Sequence, residues 1–278
     1  MNDKTRKAVA IGTFIGLFDG LTGVGGGAIL VALMVSWLGL SQHVAQGTTP
    51  VIIFPVALSG AITYAIQGLN GKFLFDTSLA MSIIPAVAFP SMFGVIVGAT
   101  WMSALPASQL KRAFGVFLFF VAFSMLTRGI LPIGASPGET VAVPFIFWIM
   151  LGFVTGVFSG FLGIGGALVL VPFMTLGAGI PQHMSQGITL AIVTITSTVG
   201  AYTQYRLRHV SLESALAMAP SALVAVVGAS LLAGHLEAFW LTKIFGLVMA
   251  YFGYQFAFSG PRKERQPVAD PAVGFYNI

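Results

Sequence analysis

The sequence contains two copies of one apolar segment. Residues 12–63 align with residues 152–203 without a gap, and 20 of the 52 aligned positions are identical. The identities include a glycine cluster and a Gln-His motif that follows it. The first copy has Gly20, Gly23, Gly25, Gly26, Gln42, His43, Gln46 and Gly47, and the second has Gly160, Gly163, Gly165, Gly166, Gln182, His183, Gln186 and Gly187. This duplication predicts a fold built from two related halves.

The composition indicates the solvent in which these halves fold. Hydrophobic residues make up 56% of the chain and charged residues 8%, whereas soluble domains carry about 25% charged residues. We therefore expect an integral membrane protein in contact with the lipid bilayer. The basic residues are sparse and lie at the ends of apolar runs, which favours membrane topology over a nucleic-acid partner. The chain has no cysteine, which excludes disulfides and thiolate chemistry.

Eight segments are long enough to cross a bilayer, which takes about 20 mainly apolar residues. They are residues 8–39, 45–67, 77–100, 109–131, 144–178, 184–206, 212–234 and 239–259. The first and the fifth are too long for one crossing, and both contain the glycine cluster. We predict an all-α membrane protein with about eight transmembrane helices in two homologous four-helix repeats, the first helix of each repeat being broken at its glycine cluster. The predicted parts are a cytoplasmic N-terminus (1–7), a first repeat (8–131), a linker (132–143), a second repeat (144–259) and a cytoplasmic tail (260–278).

The positions of lysine and arginine predict the orientation, because cytoplasmic segments carry an excess of both. With both termini in the cytoplasm, the inner side holds Lys4, Arg6, Lys7, Lys72, Arg128, Arg206, Arg208, Arg262, Lys263 and Arg265, and the outer side holds Lys111, Arg112 and Lys243. Four helices per repeat give both repeats the same orientation. An inverted pair requires an odd number of crossings, which would follow if the glycine-broken segments formed hairpins.

The glycine clusters are the first candidate site. Consecutive glycines favour unwinding, because glycine is costly in a helix and adopts positive φ freely. Unwound backbone at membrane depth persists only inside the protein or beside a watery cavity, and the helix that resumes there offers N–H groups suited to an anion. The candidate ligands are Gly23, Gly25, Gly26, Gly27, Gly163, Gly165 and Gly166. By contrast, Gly12, Gly16 and Gly20 are spaced four apart, which favours close packing of helices.

A second candidate set lies at the start of the span that follows each glycine cluster. Its amide and hydroxyl groups are suited to donate hydrogen bonds to an oxyanion, and its members are Gln46, Thr48, Thr49, Gln186 and Thr189. The alternative is that these residues cap the helix and form a tight turn.

Asp19 is the one acidic residue well inside a predicted span. A carboxylate within the bilayer is costly unless it is paired or protonated, so such a residue is a candidate functional site. The second copy has Ser159 at the equivalent position, which makes the site asymmetric. We assign Asp19 a role in proton coupling or gating, with a hydrogen-bonded structural acid as the alternative.

These features together resemble the sulfite exporter TauE/SafE family of bacterial membrane proteins. The resemblance covers nearly the whole chain and rests on the duplicated glycine-rich first helix, the paired four-helix layout and the start of the next helix, which reads Gln46-Gly47-Thr48 and Gln186-Gly187-Ile188. It implies a permease of the bacterial plasma (inner) membrane, associated with export of sulfite, sulfonates or related small sulfur-containing anions. Ile188 departs from the pattern and leaves the second copy with one hydroxyl fewer.

We therefore expect a secondary transporter that exports a small anion by alternating access. An anion channel and an accessory membrane subunit without transport of its own are the alternatives, which the sequence does not separate from a transporter. An enzyme is not expected, because the histidines lie near span ends and no paired acids face one another. No cofactor or metal site is predicted.

Overall fold

The computed structural model describes residues 3–23, 26–73, 75–101, 107–127, 143–162 and 166–258. Within these ranges all regular secondary structure is helical, which confirms the all-α prediction. The helices are α1 (Asp3–Thr22), α2 (Gly27–Trp37), α3 (Gln42–Leu69), α4 (Thr77–Trp101), α5 (Ala107–Thr127), α6 (Phe145–Leu162), α7 (Ala167–Pro172, extended by a π-helical turn over Phe173–Gly177), α8 (Gln182–Arg206), α9 (Leu212–Ala233) and α10 (Ala238–Phe258). Nearly all of the predicted linker and the whole predicted tail lie outside the described residues.

Eight of the described helices are 18 to 28 residues long. At a rise of 1.5 Å per residue, that length is enough to cross the hydrocarbon core of a bilayer. Four of them combine length with high hydropathy: Gln42–Leu69, Thr77–Thr100, Gln182–Arg206 and Leu212–Ala233. The other two helices are shorter, with 11 residues in α2 and six in α7, to which the π-helical turn adds five.

Both glycine clusters interrupt a helix, as the sequence predicts. The first break separates Thr22 from Gly27, and the second separates Leu162 from Ala167. Gly26 and Gly166, which immediately precede the new helices, have φ angles of 28° and 71°. Residues with a side chain rarely adopt these angles, so glycine is required at the point where each chain segment turns.

The chain reverses direction at the first break, because α1, α3 and α9 are mutually parallel. Along α3, the Thr48 hydroxyl accepts a hydrogen bond from the Ser211 N–H just before α9, and the Gln67 amide donates one to the Ser230 carbonyl near the end of α9. Successive glycines of α1 contact successive turns of α9, namely Gly12 with Met218, Gly16 with Ala222 and Gly20 with Val226. Since α1 and α3 point the same way, α2 must return the chain towards the side on which α1 begins.

The second half of the chain has the same arrangement. Its first helix, α6, is parallel to α4, with Gly152 against Val87, Gly156 against Ser91 and Gly160 against Val95. Helix α8 is also parallel to α4, because Gly200 lies near Val95 while Met184 shares an apolar cluster with Ala80. Helix α7 is therefore a second return segment.

Helices that the sequence repeat aligns with each other run in opposite directions. The contacts that show this are Tyr64 with Gln186 and Pro50 with Gly200 between α3 and α8, and Gly115 with Ala257 and Gly246 with Leu126 between α5 and α10. The two copies are therefore inverted relative to each other, which is the second of the two arrangements that the sequence left open. Each half makes five passes when its short return helix is counted, and an odd number of passes inverts the second half relative to the first.

The return helices also change which loops share a side of the bundle. The start of α1 lies on the same side as the start of α5 and the turn between α8 and α9. This side carries Lys4, Arg6, Lys7, Lys111, Arg112, Arg206 and Arg208, and the opposite side carries Lys72 and Lys243. The sequence-based topology placed Lys72 with the N-terminus and Lys111 and Arg112 opposite it, because it counted each glycine-broken segment as one crossing. Arg128 and the basic residues of the tail lie outside the described residues.

Candidate functional site

A small cleft lies between helices of both halves of the chain. Helices α3, α4, α6 and α8 form its walls. Its lining is Gln46, Thr49, Pro50, Ile53, Val95, Ala99, Ser159, Gly160, Thr196, Ser197, Gly200 and Gln204. Half of these twelve residues have a side chain with an amide or a hydroxyl group, and none of the described lining residues carries a charge.

Three polar side chains in the cleft are available to a solute. Gln46, Ser159 and Ser197 make no side-chain hydrogen bond to any other described residue. Thr49 and Thr196, by contrast, donate their hydroxyls to the carbonyls of Ala45 and Val193 within their own helices. Each of these threonine oxygens keeps acceptor capacity, whereas the Gln46 amide and the two serine hydroxyls keep donors as well.

Gln204 lines the cleft and contacts a residue outside its lining. Its Oε1 lies 3.2 Å from Nδ1 of His209, in the turn between α8 and α9. Partial burial, and then the neighbouring ring of His43, lower the pKa of His209, so the imidazole is neutral at neutral pH and its Nδ1–H donates to Gln204. The rings of His209 and His43 are 5.7 Å apart between centroids.

The cleft is narrow. It leaves about 20 Å³ for the centres of water-sized molecules, which is room for roughly one water. A solute larger than one water molecule can therefore enter only if the surrounding helices separate.

Of the residues predicted for the first copy, Gln46 and Thr49 line this cleft. Thr48 does not. Its hydroxyl donates to the Val44 carbonyl and accepts the Ser211 N–H at 2.9 Å, so it joins the start of α3 to the turn before α9. The prediction placed Thr48 in one site with Gln46 and Thr49, but the helix places Thr48 on a different face.

Gln186 and Thr189 lie at the other end of the bundle. The Gln186 amide is 3.0 Å from the Tyr64 hydroxyl and 3.4 Å from the Leu21 carbonyl, and Thr189 contacts the sulfur of Met174 at 3.9 Å. Gly23 packs against Gln186. The structure therefore does not bring the predicted residues of the two copies together, because the inversion of the second half puts equivalent positions at opposite ends.

The glycine breaks lie near helix ends instead of in mid-span. At the first break, Gly23 contacts Gln186, about one turn from the start of α8. The second break follows Gly160, which faces Ala99 near the end of α4. Gly26, Gly27 and Gly166 form the starts of the two return helices, and Gly25, Gly163 and Gly165 lie outside the described residues. The described glycines Gly26 and Gly166 therefore lie at opposite ends of the bundle and do not converge on one central site, whereas a role of the other glycines in binding stays a prediction.

Asp19 is completely buried at the first break. Neither carboxyl oxygen has a hydrogen-bond partner among the described residues. Gly26 packs against the carboxyl group, since a Cβ added to Gly26 would lie 2.8 Å from Oδ1. Its equivalent in the second half, Ser159, lines the cleft. The asymmetry seen in the sequence therefore places an acid at one end of the bundle and a hydroxyl at the other.

Four polar residues of the cleft were not predicted as site residues: Ser159, Thr196, Ser197 and Gln204. The sequence of α8 did contain a pattern that indicates three of the lining residues. Thr196, Gly200 and Gln204 follow one another at intervals of four and so share one face of the helix. In an apolar helix, such a polar face marks a cavity or a helix interface. No group of three potential metal ligands occurs among the described residues.

Comparison with known proteins identifies the family. The model of the family described as "Sulfite exporter TauE/SafE" matches residues 2–125, 80–178 and 147–277. The chain belongs to this family. It is therefore a multi-pass membrane protein and a membrane transporter, and the resemblance seen in the sequence is confirmed.

Relatives of the TauE/SafE chain carry the same broad description. It is 27% identical over 226 residues to a probable membrane transporter protein of Methanocaldococcus jannaschii, covering 76% of this chain and 79% of the relative. It is 22% identical over 277 residues to the probable membrane transporter protein YunE of Bacillus subtilis, covering 91% and 97%. A probable membrane transporter protein of Haemophilus influenzae is 28% identical over 125 residues, covering 44% and 47%. No solved structure matches the chain.

Proposed function

We propose that this protein is a secondary transporter that moves a small anion across the membrane by alternating access, and that it exports sulfite, a sulfonate or a related sulfur-containing oxyanion. The observation that carries the proposal is the neutral cleft between helices of both halves. Gln46, Ser159 and Ser197 offer unused donors there, and an oxyanion accepts several hydrogen bonds at once.

The described residues that line the cleft carry no charge, which favours transport over tight binding. A lysine or arginine would hold an anion strongly, because an ion pair in a site of low dielectric is difficult to separate. Neutral donors satisfy the oxygens of the anion and still allow it to leave. Export also agrees with the membrane potential, since a monoanion that leaves a cell held negative inside gains about 2.3 kcal/mol per 100 mV.

The distribution of basic residues supports an orientation with the start of α1 in the cytoplasm of a bacterial cell. That side carries most of the lysines and arginines of the described helices and turns, and cytoplasmic loops carry this excess. The return helices then place Lys72 outside.

A labelling experiment tests this orientation. The chain has no cysteine, so a single engineered thiol is read without background. We expect Lys72→Cys to react with a membrane-impermeant maleimide in intact cells, whereas Arg208→Cys should react only after the membrane is permeabilised. The reverse pattern would contradict the orientation, and reaction of both thiols from the cytoplasmic side would contradict the return helix.

The flux experiment uses the purified protein in liposomes loaded with sulfite or with small alkyl sulfonates. We expect saturable efflux that an opposing gradient of the same anion accelerates by counter-flow. Counter-flow distinguishes a carrier from an anion channel, and transport by the purified protein alone distinguishes it from an accessory subunit. Absence of flux for every oxyanion would defeat the proposal.

Removing one donor from the cleft should weaken apparent affinity. Gln46→Ala deletes an amide that contacts the solute, and one such hydrogen bond contributes about 0.5–1.5 kcal/mol. We expect the KM for efflux to rise about 3- to 10-fold. Gln42→Ala is the matched control, because Gln42 lies one turn earlier on α3 and is exposed. Equal kinetics of the two variants would show that Gln46 does not contact the solute.

We further propose that Asp19 acts in proton coupling or gating. A buried carboxyl without a hydrogen-bond partner among the described residues is costly to ionise in the bilayer. If its proton exchanges during the cycle, Asp19→Asn removes the pH dependence of efflux and leaves counter-flow intact. Unchanged pH dependence would assign Asp19 a structural role.

A further inference from the structure

The cleft has an equivalent at the opposite end of the bundle. The sequence repeat has an offset of 140 residues between the halves and an offset of 130 for the pair α4 and α9, where Pro90-Ser91 and Val97-Gly98-Ala99 match Pro220-Ser221 and Val227-Gly228-Ala229. Applied to the cleft lining, these offsets give Gln186, Thr189, Leu190, Val193, Ala225, Ala229, Asp19, Gly20, Val56, Ala57, Gly60 and Tyr64. We call this set the mirror site.

The residues of the mirror site lie together in the structure. Gly20 is close to Ala229, and Gly60 is close to Leu190, with an added Cβ at 2.6 Å and 3.0 Å respectively. Tyr64 is hydrogen-bonded to Gly20 and Gln186. The mirror site is therefore a real cluster in the fold, built from α1, α3, α8 and α9 as the cleft is built from α6, α8, α3 and α4.

The mirror site is closed where the cleft is partly open. Tyr64 fills it, with no exposed surface. The Tyr64 hydroxyl lies 2.9 Å from the Gly20 carbonyl and 3.0 Å from Gln186 Oε1, so its single proton is shared between acceptors on α1 and α8. At the equivalent position of the cleft, Gln204 instead bonds to His209 in the adjacent turn and leaves Gln46 free.

We propose that the mirror site is a second solute vestibule, and that Tyr64 locks it shut in the state described here. In an inverted pair of repeats, the two halves can exchange conformations, which closes one vestibule and opens the other. Opening the mirror site requires Tyr64 to leave Gly20 and Gln186. Closing the cleft requires Gln204 to turn inward, towards Gln46 and the Gly160 carbonyl.

The two vestibules differ in chemistry, so we expect them to differ in affinity for the solute. A small oxyanion meets the Ser159 hydroxyl in the cleft and the Asp19 carboxyl in the mirror site. Only a protonated Asp19 can donate a hydrogen bond to that anion. This inference rests on the proposed transport function, and it names the second access route of the same solute.

Cysteine labelling tests the lock without any substrate. Ser197→Cys reports on the cleft, and Ala57→Cys reports on the equivalent position of the mirror site. Each thiol is reacted in detergent with methyl methanethiosulfonate, and its rate is followed by intact mass. We expect Ser197→Cys to react at least 10-fold faster than Ala57→Cys.

Tyr64→Phe then removes only the locking hydroxyl. One buried hydrogen bond corresponds to a shift of roughly 3- to 10-fold in the equilibrium between the two states. We expect the rate at Ala57→Cys to rise by that factor and the rate at Ser197→Cys to fall. Tyr205→Phe, an exposed tyrosine on α8, is the control and should change neither rate.

The reciprocal variant is Gln204→Tyr, which places a tyrosine where it can close the cleft. It should slow labelling at Ser197→Cys and accelerate it at Ala57→Cys. Unchanged rates in both variants, or rates that rise together at both positions, would overturn the proposal, since the latter pattern reports general loosening. A reciprocal shift in a protein that moves no oxyanion would support the lock and reject the proposed substrate class.

Discussion

Replacing Gly156 by valine is expected to lower the free energy of unfolding by about 3 kcal/mol or more. Gly156 of α6 packs directly on the backbone of α4, where an added Cβ would touch the Ser91 carbonyl and lie 2.8 Å from Ser91 Cα. A side chain there must push two helices apart, because backbone atoms cannot rotate away as a flexible side chain can. The measurement is the Tm in detergent together with the yield of monodisperse protein.

Gly228→Val is the matched control for this substitution. Gly228 lies in α9, and an added Cβ there meets no atom within 4 Å. We expect a change in stability within about 0.5 kcal/mol. Similar losses in both variants would show that the cost comes from valine in a helix and not from close approach of α6 to α4.

The second large effect is expected in transport. Ser197→Leu places a branched side chain in a cleft that leaves about 20 Å³ for the centres of water-sized molecules, so the solute site is filled. We expect efflux of the transported anion to fall at least 100-fold, to the rate of empty liposomes. Ser197 is almost fully buried, and overpacking of this kind costs about 1–3 kcal/mol, so the folded fraction is measured in parallel by Tm.

Thr198→Leu provides the comparison at the next residue of the same helix. Its side chain is exposed on the outer face of α8, where leucine faces lipid. Efflux should remain within about twofold of the parent protein. If Ser197→Leu retains flux while the protein stays folded, the cleft is not on the transport route.

The sequence predicted the glycine breaks well, because they depend on local backbone energetics. Gly26 and Gly166 have positive φ, and no longer-range contact is needed to explain why a helix ends in a glycine cluster. It also predicted that Gln46 and Thr49 belong to a polar site. It did not predict the separation of Thr48 from them, which depends on the face that α3 presents to the turn before α9.

The direction in which the chain continues after each glycine break could not be predicted from the sequence. After an unwound segment, the chain can either continue across the membrane or turn back. Both paths are compatible with the same hydropathy and the same glycines. The contacts of Gly12, Gly16 and Gly20 with α9 decide between them. Because the chain turns back at each break, Lys72 and Lys111 lie on the sides of the membrane opposite to those predicted. For the same reason the second half is inverted, and Gln186 lies far from Gln46.

By itself, the sequence determined that this chain folds in a membrane, that it consists of helices, where two of them break and which family it belongs to. The first three properties follow from composition, periodicity and glycine content, which act locally, whereas the family was indicated by the resemblance of the duplicated motifs to known members. The tertiary structure alone decided that the halves are inverted and that one vestibule is closed by Tyr64 while its equivalent is not. The physical reason is that both depend on contacts between residues more than 100 positions apart, such as Tyr64 with Gln186, which no local pattern specifies.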